Sequence, residues 1–294
     1  MMLNVSNNNF VDLSKVFSPL VLKELINNGS SKKLKNILSE LGLLSQLDLK
    51  KDVATFFNDI YKILSKNYRN EYVFKNIIIK NILLGRHSLN TAYMINECNI
   101  GNSKADCVIF NGTSTVYEIK SEYDTFNRLE TQLNDYKKAF EFVYIVIPSK
   151  SIDKLQKHLI DESIGIMKLN INNTITTFKE AKSNKHLFNK GMIFDILRKN
   201  EYIKIIKNQY GNIPNIPNTK IYTYCKELFC ELDTNIIHTE IINILKNRGS
   251  DKLLKEVITS VPDSLKALSL QIKLTNKEKY SLLDLLKKEI KYII

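Results

Sequence analysis

ADCVIFNGTSTVYEIK, residues 105–120, is the stretch on which the reading of this chain turns. An apolar run with an acid near its start is broken by Asn111-Gly112, and a second run ends on Glu118-Ile119-Lys120. Asn-Gly between apolar runs is a hairpin-turn signal. The stretch therefore predicts two antiparallel strands, 105–110 and 114–120, joined tightly. Strand side chains alternate faces, which puts Glu118 and Lys120 on one side, roughly 6.6 Å apart along the chain. Asp106 lies on the paired strand. Two carboxylates and an ammonium at neighbouring strand ends are costly to bury, so their placement asks for a chemical reason.

Working outward, a helix is predicted over about Asn70–Leu84, with Phe74, Ile77, Ile78 and Leu84 inward, followed by a β-like run at 91–97. After the hairpin, Asp124 can cap a second helix in which Phe126, Leu129, Leu133, Tyr136 and Phe140 recur at steps of three and four. FVYIVIP, 142–148, is a continuous apolar run that suits a strand buried on both faces. IGIMKL and TITTF supply two weaker strands. Residues 10–66 predict about three helices, with breaks at Asn28-Gly29-Ser30 and Gly42, and from 184 onward the pattern is helical apart from GNIPNIPNT at 211–219. The expected architecture is α/β, divided into a helical N-terminal region (1–66), a mixed core (67–180) and a basic helical C-terminal region (181–294).

Composition limits the function classes. Four cysteines in 294 residues are too few for a disulfide framework and suit a reducing cytoplasm. The spacing of Cys225, Cys230 and His238 does not provide four zinc ligands. No leader-like start and no long apolar window are present, so no membrane partner is expected. With nine scattered glycines there is no phosphate-binding loop or dinucleotide fingerprint. His87, His158, His186 and His238 are isolated and read as surface or satisfied core sites, and Lys137 and Lys138 as a solvated helix face. Net charge is +12, distributed as +3 over 1–66, +1 over 67–180 and +8 over 181–294. Such an excess suits a polyanion, with the C-terminal region gripping phosphates. Asn, Ile and Lys richness also fits an A+T-rich bacterial or phage genome, in which case the lysines are solvated surface.

A divalent cation resolves the conflict at the strand ends. Mg²⁺ takes oxygen ligands and binds through one or two carboxylates plus a substrate phosphate. Asp106 and Glu118, with the Ile119 carbonyl between Glu118 and Lys120, offer such a set, and Lys120 would stand beside the attacking water.

Asp106 followed by Glu118-Ile119-Lys120 resembles the PD-(D/E)XK nuclease superfamily, here a divergent bacterial branch. The resemblance covers residues 67–148, extending toward 180, and implies a restriction-endonuclease-like core: a central mixed sheet flanked by helices. Ala105 stands where the motif's proline often is. Glu71, at the start of the first helix, corresponds to the additional acid many members supply, and Glu97 is its rival. Gln132 and Tyr136 resemble the Q-x-x-x-Y feature of some branches, and Arg128, one turn earlier, is placed to contact phosphate. The resemblance implies a nuclease requiring Mg²⁺, with Mn²⁺ able to substitute. Asp106, Glu118, the Ile119 carbonyl and Glu71 would hold the metal and Lys120 would assist water. The implied partner is nucleic acid, DNA in the first instance, and a homo-oligomer is compatible with it. The alternative is a catalytically inactive nucleic-acid-binding or regulatory protein on the same fold.

Overall fold

The computed structural model describes residues 3–212, 214 and 216–294. It begins with α1 (Phe10–Ser14), α2 (Pro19–Asn28), α3 (Lys32–Glu40), α4 (Val53–Asn67) and α5 (Glu71–Ile78). The last four start on caps that are legible in the sequence. Ser18, Ser31, Asp52 and Asn70 each accept the backbone N–H three residues on, satisfying a donor that the helix itself cannot. Four α-helices rather than three fill 10–66, because Ser18-Pro19 starts a new helix where the pattern read on. α2 stops at Gly29, φ 74°, a left-handed position that suits glycine. α5 runs into a π-helical turn, Ile79–Leu83. The wider turn shifts the helix face, and Leu84, expected inward, is only half-buried while Phe74, Ile77 and Ile78 are buried.

The strands are β1 (Tyr93–Ile100), β2 (Ser103–Phe110), β3 (Ser114–Ile119), β4 (Phe142–Pro148), β5 (Gly165–Leu169) and β6 (Ile175–Lys179), joined in that order in one six-stranded sheet. β1/β2 and β2/β3 are antiparallel, β3/β4 and β4/β5 parallel, and β5/β6 antiparallel. The two parallel steps carry α6 (Leu129–Lys137) and α7 (Ile152–Gln156) as crossovers, as parallel pairing requires. The mixed α/β sheet with flanking helices is thus the observed architecture. β3 and β4 are buried along almost their whole length.

The remaining helices are α8 (Lys190–Phe194), α9 (Lys199–Tyr210), α10 (Asn218–Glu231), α11 (Thr234–Asn247), α12 (Lys252–Ser260), α13 (Lys266–Gln271) and α14 (Asn276–Leu285). The break at 211–219 follows α9, although Ile213 and Asn215 lie outside the described residues. Packing groups the chain differently from the boundaries at 66 and 180. One unit is Met1–Arg86 with Asp251–Ile294, the other His87–Ser250. In the sheet unit, Phe194, Ile205, Phe229 and Ile241 share one apolar core with Val108, Val116 and Ile145. In the helical unit, the buried Asn76 of α5 accepts the Ala267 N–H of α13 at 2.9 Å. Among the described residues no helix is long and apolar enough to cross a membrane.

A buried polar knot joins β4 to α11. Glu141 and His238 are both buried, with His238 Nε2 3.1 Å from Glu141 Oε2. Ser114 Oγ accepts the Glu141 N–H, and Lys185 Nζ stands 3.2 Å from Glu141 Oε1. Burial, reinforced by Lys185, pushes the His238 pKa down, and the attraction of Glu141 is the smaller effect. The unfolded chain therefore takes up this proton at higher pH than the folded one. The contribution of neutral His238 is complete above the ordinary value of 6.5 and declines as pH falls below it. Denaturation midpoints measured between pH 7 and 5 should fall with acid, and His238→Gln should flatten that limb. An unchanged slope would remove His238 as its cause.

Candidate active site

The site forms where the sheet forks. Going toward the end of β3, the last β2/β3 pair is Cys107 with Tyr117, and β3 continues beside β4 as far as Ile119 with Val146. At the same level the β1/β2 register steps from Asn96 with Cys107 to Cys98 with Ala105, passing over Glu97, which has φ 58°. Asp106 bridges the fork with its side chain, Oδ2 accepting the Ile119 N–H at 2.7 Å. A carboxylate thus satisfies a backbone donor that lost its ladder acceptor. The Lys120 N–H goes to Val146 O at 3.0 Å, so by strand alternation both the N–H and C=O of Ile119 face β2 and the Asp106 side.

α6 closes the site from one face. Lys120 Nζ donates to Glu118 Oε1 at 2.8 Å and to Gln132 Oε1 at 3.0 Å. Gln132 Nε2 donates to the Tyr136 hydroxyl at 3.4 Å, and that hydroxyl is 2.9 Å from both Glu118 Oε2 and Lys104 O. Spacing of four puts Gln132 and Tyr136 on one helix face, and Leu129 and Leu133 bury the same stripe in the core. Glu118 is 1% and Lys120 8% exposed, and Tyr136 is fully buried. Burial first, then the Glu118 charge, pushes the Tyr136 pKa far above its ordinary value. The phenol therefore stays protonated and remains a donor.

Asp106, Glu118, Ile119, Lys120, Gln132 and Tyr136 are thus brought together. Glu71 heads α5 in the helical unit, its Oε1 2.6 Å from Lys75 Nζ, where a helix N-terminus favours a carboxylate. Its rival Glu97 faces Asp106 across the sheet and pairs with Lys104 at 2.5 Å. Arg128 is exposed as the N-cap residue of α6. Asp124 does not cap that helix, which starts at Leu129. Instead its Oδ2 accepts from Ser121 N and Oγ, closing the loop after Lys120. Lys137 is not on a solvated face but ion-paired with Asp161. Burial would raise the Asp161 pKa, but hydrogen bonds from Lys137 and Ser163 outweigh it and hold the value at about 2. The Lys104 carbonyl was not foreseeable, since nothing in a side-chain pattern marks a backbone acceptor.

Among the described residues no three His, Cys, Asp or Glu side chains gather as a metal-binding group. What the fork does offer is two carboxylates and a backbone carbonyl, all oxygen. That suits a hard cation that keeps most of its waters.

The model of a family described as bacteriophage P4 protein cII matches residues 64–269. Protein cII of Enterobacteria phage P4 is 32% identical over 165 residues, which cover 54% of this chain and 61% of that relative, so the chain spans less than two thirds of its length. A solved protein of unknown function from Silicibacter pomeroyi aligns over 48% of this chain and 92% of its own at 10% identity, with a TM-score of 0.30, too low to carry an argument.

Proposed function

The chain belongs to the bacteriophage P4 protein cII family, and we propose that it is a metal-dependent nuclease of the PD-(D/E)XK type, with a restriction-endonuclease-like core, that hydrolyses phosphodiester bonds in DNA. The observation that carries this reading is the convergence of Asp106, Glu118 and Lys120 with Gln132 and Tyr136 at the forked sheet. Asp106, Glu118 and the Ile119 carbonyl would hold Mg²⁺ or Mn²⁺. When bound, such an ion polarises the phosphodiester and lowers the pKa of its water. Lys120 has two of its N–H donors engaged and a third left for a phosphate oxygen or the attacking water. Gln132 fixes the lysine's direction, and Tyr136 holds Glu118 in one rotamer.

A second reading is favoured by the closure of the network. Both Glu118 oxygens already have partners and the residue is almost fully buried, as expected of a fold that binds nucleic acid without cutting it. Incubation with supercoiled, linear and single-stranded DNA and with RNA, in Mg²⁺, Mn²⁺ or EDTA, separates the two. Metal-dependent cutting supports the first reading, and binding without cutting under every condition supports the second. Asp106→Asn keeps an acceptor for the Ile119 N–H, so the fold should persist while the Mg²⁺ requirement rises at least tenfold or activity is lost. An unchanged metal titration would take Asp106 out of the ligand set.

A further inference from the structure

The positive charge does not follow the sequence boundary at 180. Counted by structural unit, the helical unit (1–86 with 251–294) carries +9 and the sheet unit (87–250) +3. Within the helical unit, three segments distant in sequence are hydrogen-bonded side by side. Val53 N donates to Lys288 O at 2.9 Å, Ile290 N to Lys51 O at 2.9 Å, and Lys291 N to Leu49 O at 3.3 Å. Ser31 N, at the cap of α3, donates to Ile293 O at 3.1 Å. This arrangement gathers Lys32, Lys33, Lys35, Lys50, Lys287 and Lys288 along one edge, every one of them exposed. Among the described residues none of the six ammonium groups lies in an ion pair.

Of the nearby acids, Asp52, Glu24 and Glu289 have protein partners, while Asp48, Glu256 and Asp284 are exposed. Asp52 caps α4 through Thr55, Glu24 accepts from Ser31 Oγ and Lys33 N, and Glu289 pairs with Lys291. Hydrogen bonds from Ser31 and Lys33, with a smaller attraction from the Lys32 and Lys33 charges, hold the Glu24 carboxyl below its ordinary range. Of the apolar residues of these segments, Leu34, Ile37, Leu286 and Ile290 are buried and Leu49 is exposed, a single aliphatic side chain where a membrane-surface site needs an amphipathic face. The cavity beside Lys287 is lined by two acids, Asp52 and Glu256, which does not suit a phosphate, whereas point charges spaced along the exposed segments suit a linear polyanion. Tyr292, 61% exposed beside Lys291, adds an aromatic ring.

We infer that this lysine edge of the helical unit grips the phosphate backbone of duplex nucleic acid without reading its bases. The inference rests on the reading that the chain acts on nucleic acid, but not on cleavage.

The test is binding of the full chain to a labelled duplex in EDTA across a salt series. One variant carries Lys32→Gln, Lys33→Gln, Lys50→Gln, Lys287→Gln and Lys288→Gln. A control carries Lys157→Gln, Lys182→Gln, Lys199→Gln, Lys204→Gln and Lys207→Gln, equally exposed positions of the sheet unit. The first should bind more than about tenfold more weakly near 0.1 M salt, its log–log slope shallower by about 0.9 for each phosphate it no longer neutralises. The control should keep the slope of the unaltered chain. Equal slopes in the two variants would overturn the inference and leave the nuclease reading standing. No duplex binding by the unaltered chain at low salt would overturn both. Binding to phosphatidylserine vesicles in place of duplex would reassign the edge to membranes.

Discussion

Lys120→Met is expected to abolish cleavage and to lower the stability of the sheet unit by about 3–5 kcal/mol, the cost of stranding one member of a buried ion pair. Glu118 and Lys120 are 1% and 8% exposed, and without the lysine the buried Glu118 carboxyl would face only the Tyr136 hydroxyl. Glu118→Gln separates the two effects: it keeps the volume and removes the charge, so cutting should vanish with a much smaller loss of stability. The double variant should be more stable than Lys120→Met alone, since no uncompensated carboxylate remains. Urea midpoints beside a plasmid-cutting gel measure all three. Full activity in Lys120→Met would sink its assigned role, and an unchanged midpoint would sink the account of its burial.

A chain ended at residue 181, the boundary drawn from composition, is expected not to fold cooperatively. It would lose Phe194, Ile205, Phe229, Ile237, Ile241 and Leu245 from the core of the sheet unit. At about 1.5–3 kcal/mol for each buried side chain, roughly 10 kcal/mol or more would go, comparable to the whole stability of a typical domain. Residues 87–250 expressed alone should instead melt in a single transition. A cooperative melt of the 1–181 chain resembling that of the full chain would refute the grouping of α8–α11 with the sheet.

What was legible in the sequence was local. Asn111-Gly112 and the two apolar runs announce the hairpin, FVYIVIP is β4 to the residue, and the four helix caps stand where Ser, Asp and Asn precede amphipathic runs. The strand period placed Glu118 and Lys120 together, and the helical period placed Gln132 and Tyr136 together. That these two pairs would meet depends on α6 crossing back over β3, which no single period encodes. Long-range pairing was the blind spot. The helix 71–78 reads well by itself, yet nothing local says that it packs against residues near 267. Glu71 belongs to the helical unit, and Asp106, Glu118 and Lys120 belong to the sheet unit.

The helical unit is assembled from two stretches with the whole sheet unit encoded between them, and that has a consequence for the order of synthesis. α1–α5 leave the ribosome first but must wait for α12–α14, while residues 87–250 have all their core partners in hand. At about 5–20 residues per second the wait from Arg86 to Ile293 is on the order of 10–40 s. The catalytic candidates can therefore be in place on a nascent chain before the lysine edge exists, because that edge needs residues 31–35, 49–53 and 286–293 together. On the function and the lysine edge proposed above, a chain caught between Ser250 and Lys287 would hold the catalytic candidates without the edge, and attachment to nucleic acid would wait for residues 286–293.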